Sequence, residues 1–448
     1  MGKYTAYPEY KDSGVEWLGK VPTHWELVRN IGLFEERNEK GSPDAELLAV
    51  TILYGVLKQS DLAEITDRKN TASDDKSNYK LVREGDLVYN KMRMWQGAIG
   101  ISPQDGIVSP AYIVLKPSTE INNRFFFYQF KTPGFISESG RFSYGLCDDM
   151  NSLRYKDFRS IYSIVPPQEE QTQIAAFLDH ETAKIDRLIA KQEELIALLQ
   201  EKRQAVISHA VTKGLDPNAP MKDSGVEWLG EVPAHWEVKK IKHITKSIEQ
   251  GWSPQCESEP ANGDAWGVLK VGCVNGGVFN SAENKKLPET MAPRPDYALK
   301  AGDLLISRAN TKDLVGSAAV VQHDHPNLML CDKLYRLRLI DSVIPHWVAF
   351  YLGTSNARER IELEATGASH SMQNIGQDTI KDIHCPVPPK GEADSILNCL
   401  SSKLSSLRNV EKKASTAIAL LQERHTALIS AAVTGKIDVR EWGREVQA

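Results

Sequence analysis

Long apolar runs are missing from this chain of 448 residues: no stretch of eighteen or more apolar residues occurs, so no transmembrane helix is expected. The opening MGKYTAYPEYKDSG lacks the apolar core of a secretory signal, and its sixth residue is not the Ser or Thr that myristoylation requires. A cytoplasmic protein is the expectation. Cysteine is sparse and scattered (Cys147, Cys256, Cys273, Cys331, Cys385, Cys399), with no C-x-x-C pair, which argues for reduced thiols rather than a disulfide framework. An excess of positive charge is also missing. The formal net charge of −5 means that any nucleic-acid binding must rest on local patches or be shared with a partner. The usual catalytic signatures are absent too: no G-x-x-x-x-G-K-[ST], no G-x-S-x-G, no H-E-x-x-H, and no N-P-P-[YF] or D-P-P-[YF] segment of an adenine methyltransferase. Pro43-Asp44 with Asp67-Arg68-Lys69 nominally matches a nuclease PD…DxK pattern, but its second half lies in a polar loop rather than a strand. His323, His325 and Cys331 lack an evident fourth ligand for zinc.

What is present is a duplication. Residues 11–27 read KDSGVEWLGKVPTHWEL and residues 222–238 read KDSGVEWLGEVPAHWEV, fourteen of seventeen identical at an offset of 211. GDLVYN (85–90) recurs as GDLLIS (302–307) at an offset of 217, and Pro166-Pro167 recurs as Pro388-Pro389 at an offset of 222. LLQEKRQAVISHAVTKGLD (198–216) and LLQERHTALISAAVTGKID (420–438) agree at eleven of nineteen positions. The ends of the two units match closely while their interiors barely align, so one chassis carries two different inserts. The period is far too long for a solenoid of 20–50-residue repeats.

Within each unit the pattern changes character once. Short β-branched runs such as LLAVTIL (47–53) and GIVSPAYIVL (106–115), separated by polar loops, predict an irregular twisted sheet, with RFFFYQFKT (124–132) as a short helix. Residues 1–10 read as a loosely held leader. After Pro166-Pro167, residues 168–212 contain neither Pro nor Gly and predict one long helix. Leu178, Ile185, Gln192, Leu199 and Val206 fall seven apart, with Leu188 and Leu195 beside them; Leu400, Leu407, Ala414, Leu421 and Leu428 repeat the column, flanked by Leu404 and Ile418. These are the seams of a helix–helix pair. Gln192 within its column is a candidate for fixing register. Divided this way, the chain comprises residues 1–165, 166–213, 214–387 and 388–448.

The two GVEWLG-x-VP-x-HWE heads, the boundaries IVPPQEEQTQIAAFLD (164–179) and CPVPPKGEADSILNCL (385–400), and the LLQE…VT helix ends together resemble the specificity subunit of type I restriction–modification enzymes. The resemblance covers nearly the whole chain. GEADSILN (391–398) departs from the EEQ-x-x-I pattern seen at 169–174. The resemblance implies an α/β mixed fold with two target recognition domains, separated by two long antiparallel helices in a pseudo-twofold tandem duplication. It implies a non-catalytic chain that reads a bipartite sequence in double-stranded DNA, one domain per half, with the helices as a spacer. It also implies partners: methylation subunits, one suited to each half of the pseudo-symmetric chain, and a restriction motor-nuclease subunit where the system cuts. S-adenosylmethionine, ATP and Mg are then expected in those partners and no cofactor in this chain.

Direct readout requires Arg, Lys, Asn or Gln side chains on loops that reach base edges in the major groove. The loop after GDLVYN offers Lys91, Arg93 and Gln96, beside Trp95; the loop after GDLLIS offers Arg308, Asn310, Thr311 and Lys312. A second pair of loops precedes each Pro-Pro boundary, with Tyr144, Asn151 and Arg154 in one, and Ser369, His370, Ser371, Gln373 and Asn374 in the other. Lys240 and Lys242, in a cluster with Lys239 and Lys246, suit phosphates. The bland alternatives are solvated loops for the first two groups and a solvated edge for the third. The head tryptophans, Trp17, Trp25, Trp228 and Trp236, read as packing residues rather than stacking platforms. Two rival functions remain: an assembly scaffold built on the long helices, and a self-contained nuclease using Asp67 and Lys69.

Overall fold

The structure is a computed structural model that describes residues 4–66, 75–145, 151–369 and 372–442. Two compact units emerge: residues 1–193 with 415–448, and residues 194–414. Helices Gln168–Lys213 and Lys390–Val433 each give one half to each unit. The C-terminal segment thus belongs to the first unit.

In the first unit, strands Tyr10–Asp12 and Lys20–Pro22 form an antiparallel hairpin, and Glu26–Arg29 pairs with Tyr162–Val165 just before the Pro-Pro boundary. A four-stranded antiparallel sheet follows in the order Phe34–Glu36, Tyr112–Pro117, Leu87–Asn90, Ile99–Ile101. Helices Asn123–Phe130 and Pro133–Arg141 cover it, capped by Asn122 and Thr132. The second unit repeats this plan. Glu237–Lys240 pairs with His384–Val387, and the sheet order is Thr245–Gln250, Leu334–Leu339, Leu304–Ser307, Ala318–Val320. Helices Pro345–Leu352 and Ser355–Glu364 cover it, the latter capped by Thr354. Interiors that barely align in sequence therefore share one sheet and one helix pair.

The central strands explain the apolar GDLVYN and GDLLIS runs. Leu87 and Tyr89 enter the main core, while Val88 enters a smaller core on the other face with Val50, Val56, Val82, Val108 and Val114. Leu304 and Ile306 likewise face one core and Leu305 the other. A strand buried on both faces reads as a continuous apolar run rather than an alternating one. The repeated GD is a turn: Gly85 and Gly302 have φ of 84° and 86°, where a side chain would be strained. Asp86 accepts from the Arg83 amide and from Arg37 Nε (2.8 Å); Asp303 accepts from the Lys300 amide and from Arg338 Nε (3.1 Å). The inserts differ on the far face. There the first unit joins the pairs Leu48–Thr51/Gly55–Lys58 and Lys80–Val82/Gly106–Val108 only by a parallel bridge between Leu47 and Ile107, whereas the second carries the matching strands Asn284–Lys286, Gly267–Leu269, His325–Met329 and Ala298–Leu299 as one sheet around Cys273, Met329 and Cys331. Burial pushes the Cys273 and Cys331 thiols up, Cys331 to about 12, which keeps both protonated and unreactive.

The duplicated heads hold the ends of the long helices. Trp25 is fully buried, and its Nε1 donates to Glu170 in the first helical turn (3.0 Å), which His24 Nε2 also meets at 2.8 Å. Trp236 Nε1 donates to Glu392 (3.1 Å), with His235 Nε2 at 2.7 Å. Glu392 therefore keeps the structural role of Glu170 despite the departure in GEADSILN. A carboxylate in the first turn also complements the helix dipole. Gly435, with φ of 70°, ends the second long helix against Trp25, and a Cβ there would run into Pro22; Gly214, with φ of 77°, ends the first against Trp236. Residues 4–10 are not a loose leader. Tyr7 is buried and donates to Glu170 (3.0 Å), Tyr4 packs edge-on against Phe177 (5.3 Å), and Tyr10 donates to the Gly435 carbonyl (2.8 Å).

Of the seam residues, Leu178 and Leu428 join the core of the first unit, and Leu400, Val206 and Leu407 that of the second. Leu178, Ile185 and Leu400 are buried, while Leu199, Val206, Leu407, Leu421 and Leu428 are half-buried. In the first unit Gln173 reaches the Arg440 carbonyl at 2.8 Å and Asp186 meets His425 at 3.7 Å, so the two chain segments run in opposite directions; in the second, Gln200 bonds Glu411 at 3.1 Å. Leu188 departs from the expectation and is 48% exposed. Gln192 is half-buried.

Candidate nucleic-acid interface

Each unit brings its two candidate loops together in the same way. In the first, the central strand Leu87–Asn90 delivers the chain to Lys91, whose carbonyl accepts from the Leu153 amide (2.8 Å). In the second, strand Leu304–Ser307 delivers it to Arg308, whose carbonyl accepts from the Ile375 amide (3.0 Å). Ala309–Asn310 then pairs with Met372–Asn374, setting Asn310 opposite Gln373 and Ala309 opposite Asn374. Two segments far apart in sequence thus form one surface at the end of the central strand, twice over.

The loops are braced from behind. In the first unit Trp95 Nε1 donates to the Met92 carbonyl (3.0 Å), and Lys131 Nζ donates to the carbonyls of Gly97 (2.9 Å) and Ile52 (2.8 Å). Burial pushes the Lys131 ammonium pKa down. In the second unit Arg358 donates to the carbonyls of Lys312 (3.4 Å), Asp313 (3.0 Å) and Val315. The side chains in front remain accessible. Arg93 and Arg154 are exposed, and Lys91, Gln96 and Asn151 are half-buried. The Arg154 guanidinium lies 4.8 Å over the Tyr144 ring, with Lys156 Nζ at 5.6 Å. Thr311 and Lys312 are exposed; Arg308, Asn310, Gln373 and Asn374 are half-buried, and Asn310 Nδ2 reaches Asn275 Oδ1 at 3.3 Å. Among the described residues, Lys91, Arg93, Arg154, Lys156, Arg308 and Lys312 have no carboxylate within ion-pair distance. Cations left in that state at a loop end are available to phosphates or base acceptors.

Lys240 and Lys242 are ion-paired. Both are held on Asp382, at 3.2 and 2.9 Å, and Lys246 is held on Asp341 at 2.6 Å. Hydrogen bonds from Lys242 and then Lys240 hold the Asp382 carboxyl below the usual carboxylate range. Ser371 and His370 lie outside the described residues, as do Cys147, Asp67 and Lys69, and the side chain of Ser369 is likewise not described. Sequence reasoning missed Lys333, whose carbonyl accepts from the Arg308 amide (2.8 Å), and Lys156. Its only available signal for Lys156 was proximity to Arg154. Among the described residues no cluster of three or more His, Cys, Asp or Glu could hold a metal ion, and no helix is long and apolar enough to cross a membrane.

Residues 22–197 match the family model described as type I restriction modification DNA specificity domain. The match lies in the first unit except for its last four residues. The chain is 32% identical over 198 residues to the EcoEI specificity subunit of Escherichia coli, covering 44% of this chain and 33% of that one. It is 25% identical over 438 residues to the MjaVIII specificity subunit of Methanocaldococcus jannaschii, covering 94% and 95%. The matched stretch is therefore a third of the EcoEI subunit's length and nearly all of the MjaVIII subunit's. A chain from a solved type I R-M system superposes with a TM-score of 0.68 at 17% identity, covering 92% of this chain and 98% of that one, which shows the fold. These relatives are specificity subunits of type I restriction–modification systems, and the matched family model describes the DNA specificity domain of such systems.

Proposed function

We propose that this chain is the DNA sequence-recognition subunit of a type I restriction–modification complex, each unit reading one half of a bipartite target in double-stranded DNA. The observation that carries this is the duplicated loop pair: the same backbone bond joins the same two loops in both units, yet the side chains presented are Lys91, Arg93, Gln96 and Arg154 in one and Arg308, Asn310, Lys312 and Gln373 in the other. Equal scaffolds with unlike surfaces suit two unlike half-sites. A pure scaffold would leave this difference without a role.

The chain contributes no catalytic step in this reading. Partner subunits bind S-adenosylmethionine and methylate adenine, two methylation subunits serving the two units. A restriction subunit using ATP and Mg acts where the system also cuts. The complex works in the cytoplasm, where its DNA is. Replacing Lys91 and Arg154 together by Ala is expected to weaken target binding by about 1–3 kcal/mol and to flatten the dependence of log affinity on log salt by about two. Titrating labelled target DNA with the assembled methylation complex at several salt concentrations measures both. Unchanged affinity and slope would remove these residues from the interface.

A further inference from the structure

The hairpin Leu48–Thr51/Gly55–Lys58 has a three-residue loop, Ile52-Leu53-Tyr54, and all three side chains face solvent, exposed by 42%, 82% and 53%. Three consecutive large apolar side chains in the open are costly to solubility and unusual on a surface with no partner. The base of the same hairpin is firmly seated, with Leu48, Val50 and Val56 buried in the smaller core. The turn itself is built. The Thr51 hydroxyl accepts from the Tyr54 amide (2.9 Å) and donates to the Gly55 carbonyl (3.3 Å), and Gly55 takes φ of 65°.

What lies beside the tip indicates its occupant. Lys131 Nζ holds the carbonyls of Ile52 and Gly97 at once, so the tip and the end of the loop bearing Lys91, Arg93 and Gln96 lie within reach of one ammonium. Gly55 also approaches Gly100 closely enough that a Cβ on Gly100 would collide with it. A two-stranded ribbon fits the major groove, where thymine alone presents an apolar group, its 5-methyl. We propose that Ile52, Leu53 and Tyr54 enter the major groove beside that loop and read thymine methyl groups in the half-site of the first unit. In the second unit the segment against the corresponding sheet strand is Val271–Gly277, and it is followed by one exposed apolar side chain, Val278 at 45%, rather than three in a row. The two units would then differ in apolar as well as polar readout.

The inference rests on the DNA-recognition reading, and the test separates the two. The assembled complex with its methylation subunits is titrated with its target duplex and with duplexes in which single thymines are replaced by deoxyuridine, deleting only the methyl group. The wild-type complex is expected to bind at least one substituted duplex about fourfold more weakly. Leu53→Ser is expected to bind both equally, and its methylated motif in cells to relax about tenfold at the same position, with the other half unchanged. Leu53 is so exposed that folding is not at stake. Leu53→Ser retaining full discrimination would overturn the proposal. So would a half-site without thymine, or a Leu53→Ser chain that loses its methylation subunits at unchanged DNA discrimination, which would make the tip a protein-docking point. A wild-type complex with no sequence preference would bring down the DNA-recognition reading itself, and this contact with it.

Discussion

Trp25→Ala is expected to destabilise the first unit by about 3–5 kcal/mol, a large part of the roughly 5–15 kcal/mol that holds a domain folded. Trp25 is fully buried, with the Tyr7 ring at 5.6 Å and the Phe125 ring at 6.4 Å, and its Nε1 satisfies Glu170 at 3.0 Å. Truncation opens a cavity where the head, the start of one long helix and the end of the other meet. It also leaves Glu170 with fewer donors, and a buried carboxylate that loses a partner costs more than the bond itself was worth. Trp236→Ala should act equivalently on the second unit through Glu392. Denaturant unfolding followed by fluorescence measures both. A loss below about 1 kcal/mol for either variant would mean that the head is peripheral to its unit.

The second large effect is functional. On the proposed reading, exchanging residues 28–165 for the insert of a type I specificity subunit should replace one half of the recognised sequence completely and leave the other half unaltered. The structure favours such a graft because both cut points fall on one ladder, where Val28 lies opposite Ser163 and Val165 opposite Glu26. Backbone hydrogen bonds across that ladder are indifferent to the side chains that follow. Sequencing of methylated DNA from cells carrying the chimera reads the outcome. A change in both halves, or in neither, would separate the inserts from specificity.

Much of this architecture was legible in the sequence because it is local or repeated. The heads, the long helices and the loops after each GDL motif could be located by periodicity, by Gly and Pro placement, and by self-comparison. Contacts between distant residues were not legible in that way. Glu170 and Glu392 looked like ordinary first-turn carboxylates, although each fixes a Trp and a His about 150 residues away. The same blindness made residues 1–10 look loose, because the partners of Tyr4, Tyr7 and Tyr10 lie on the long helices and past the end of the second. It also made Lys240 and Lys242 look free, because Asp382 reaches them only through the fold. The apolar tip escaped because Ile52 and Leu53 continue an apolar run that reads as strand; only the pairing of Thr51 with Gly55 shows that the strand has already ended.

The most direct measurement is single-molecule sequencing of DNA from cells that co-express this chain with its methylation subunit. The account predicts methyladenine at one bipartite motif with a fixed gap, present only when the chain is present. Methylation at no motif, or at a motif that persists when the chain is omitted, would contradict it.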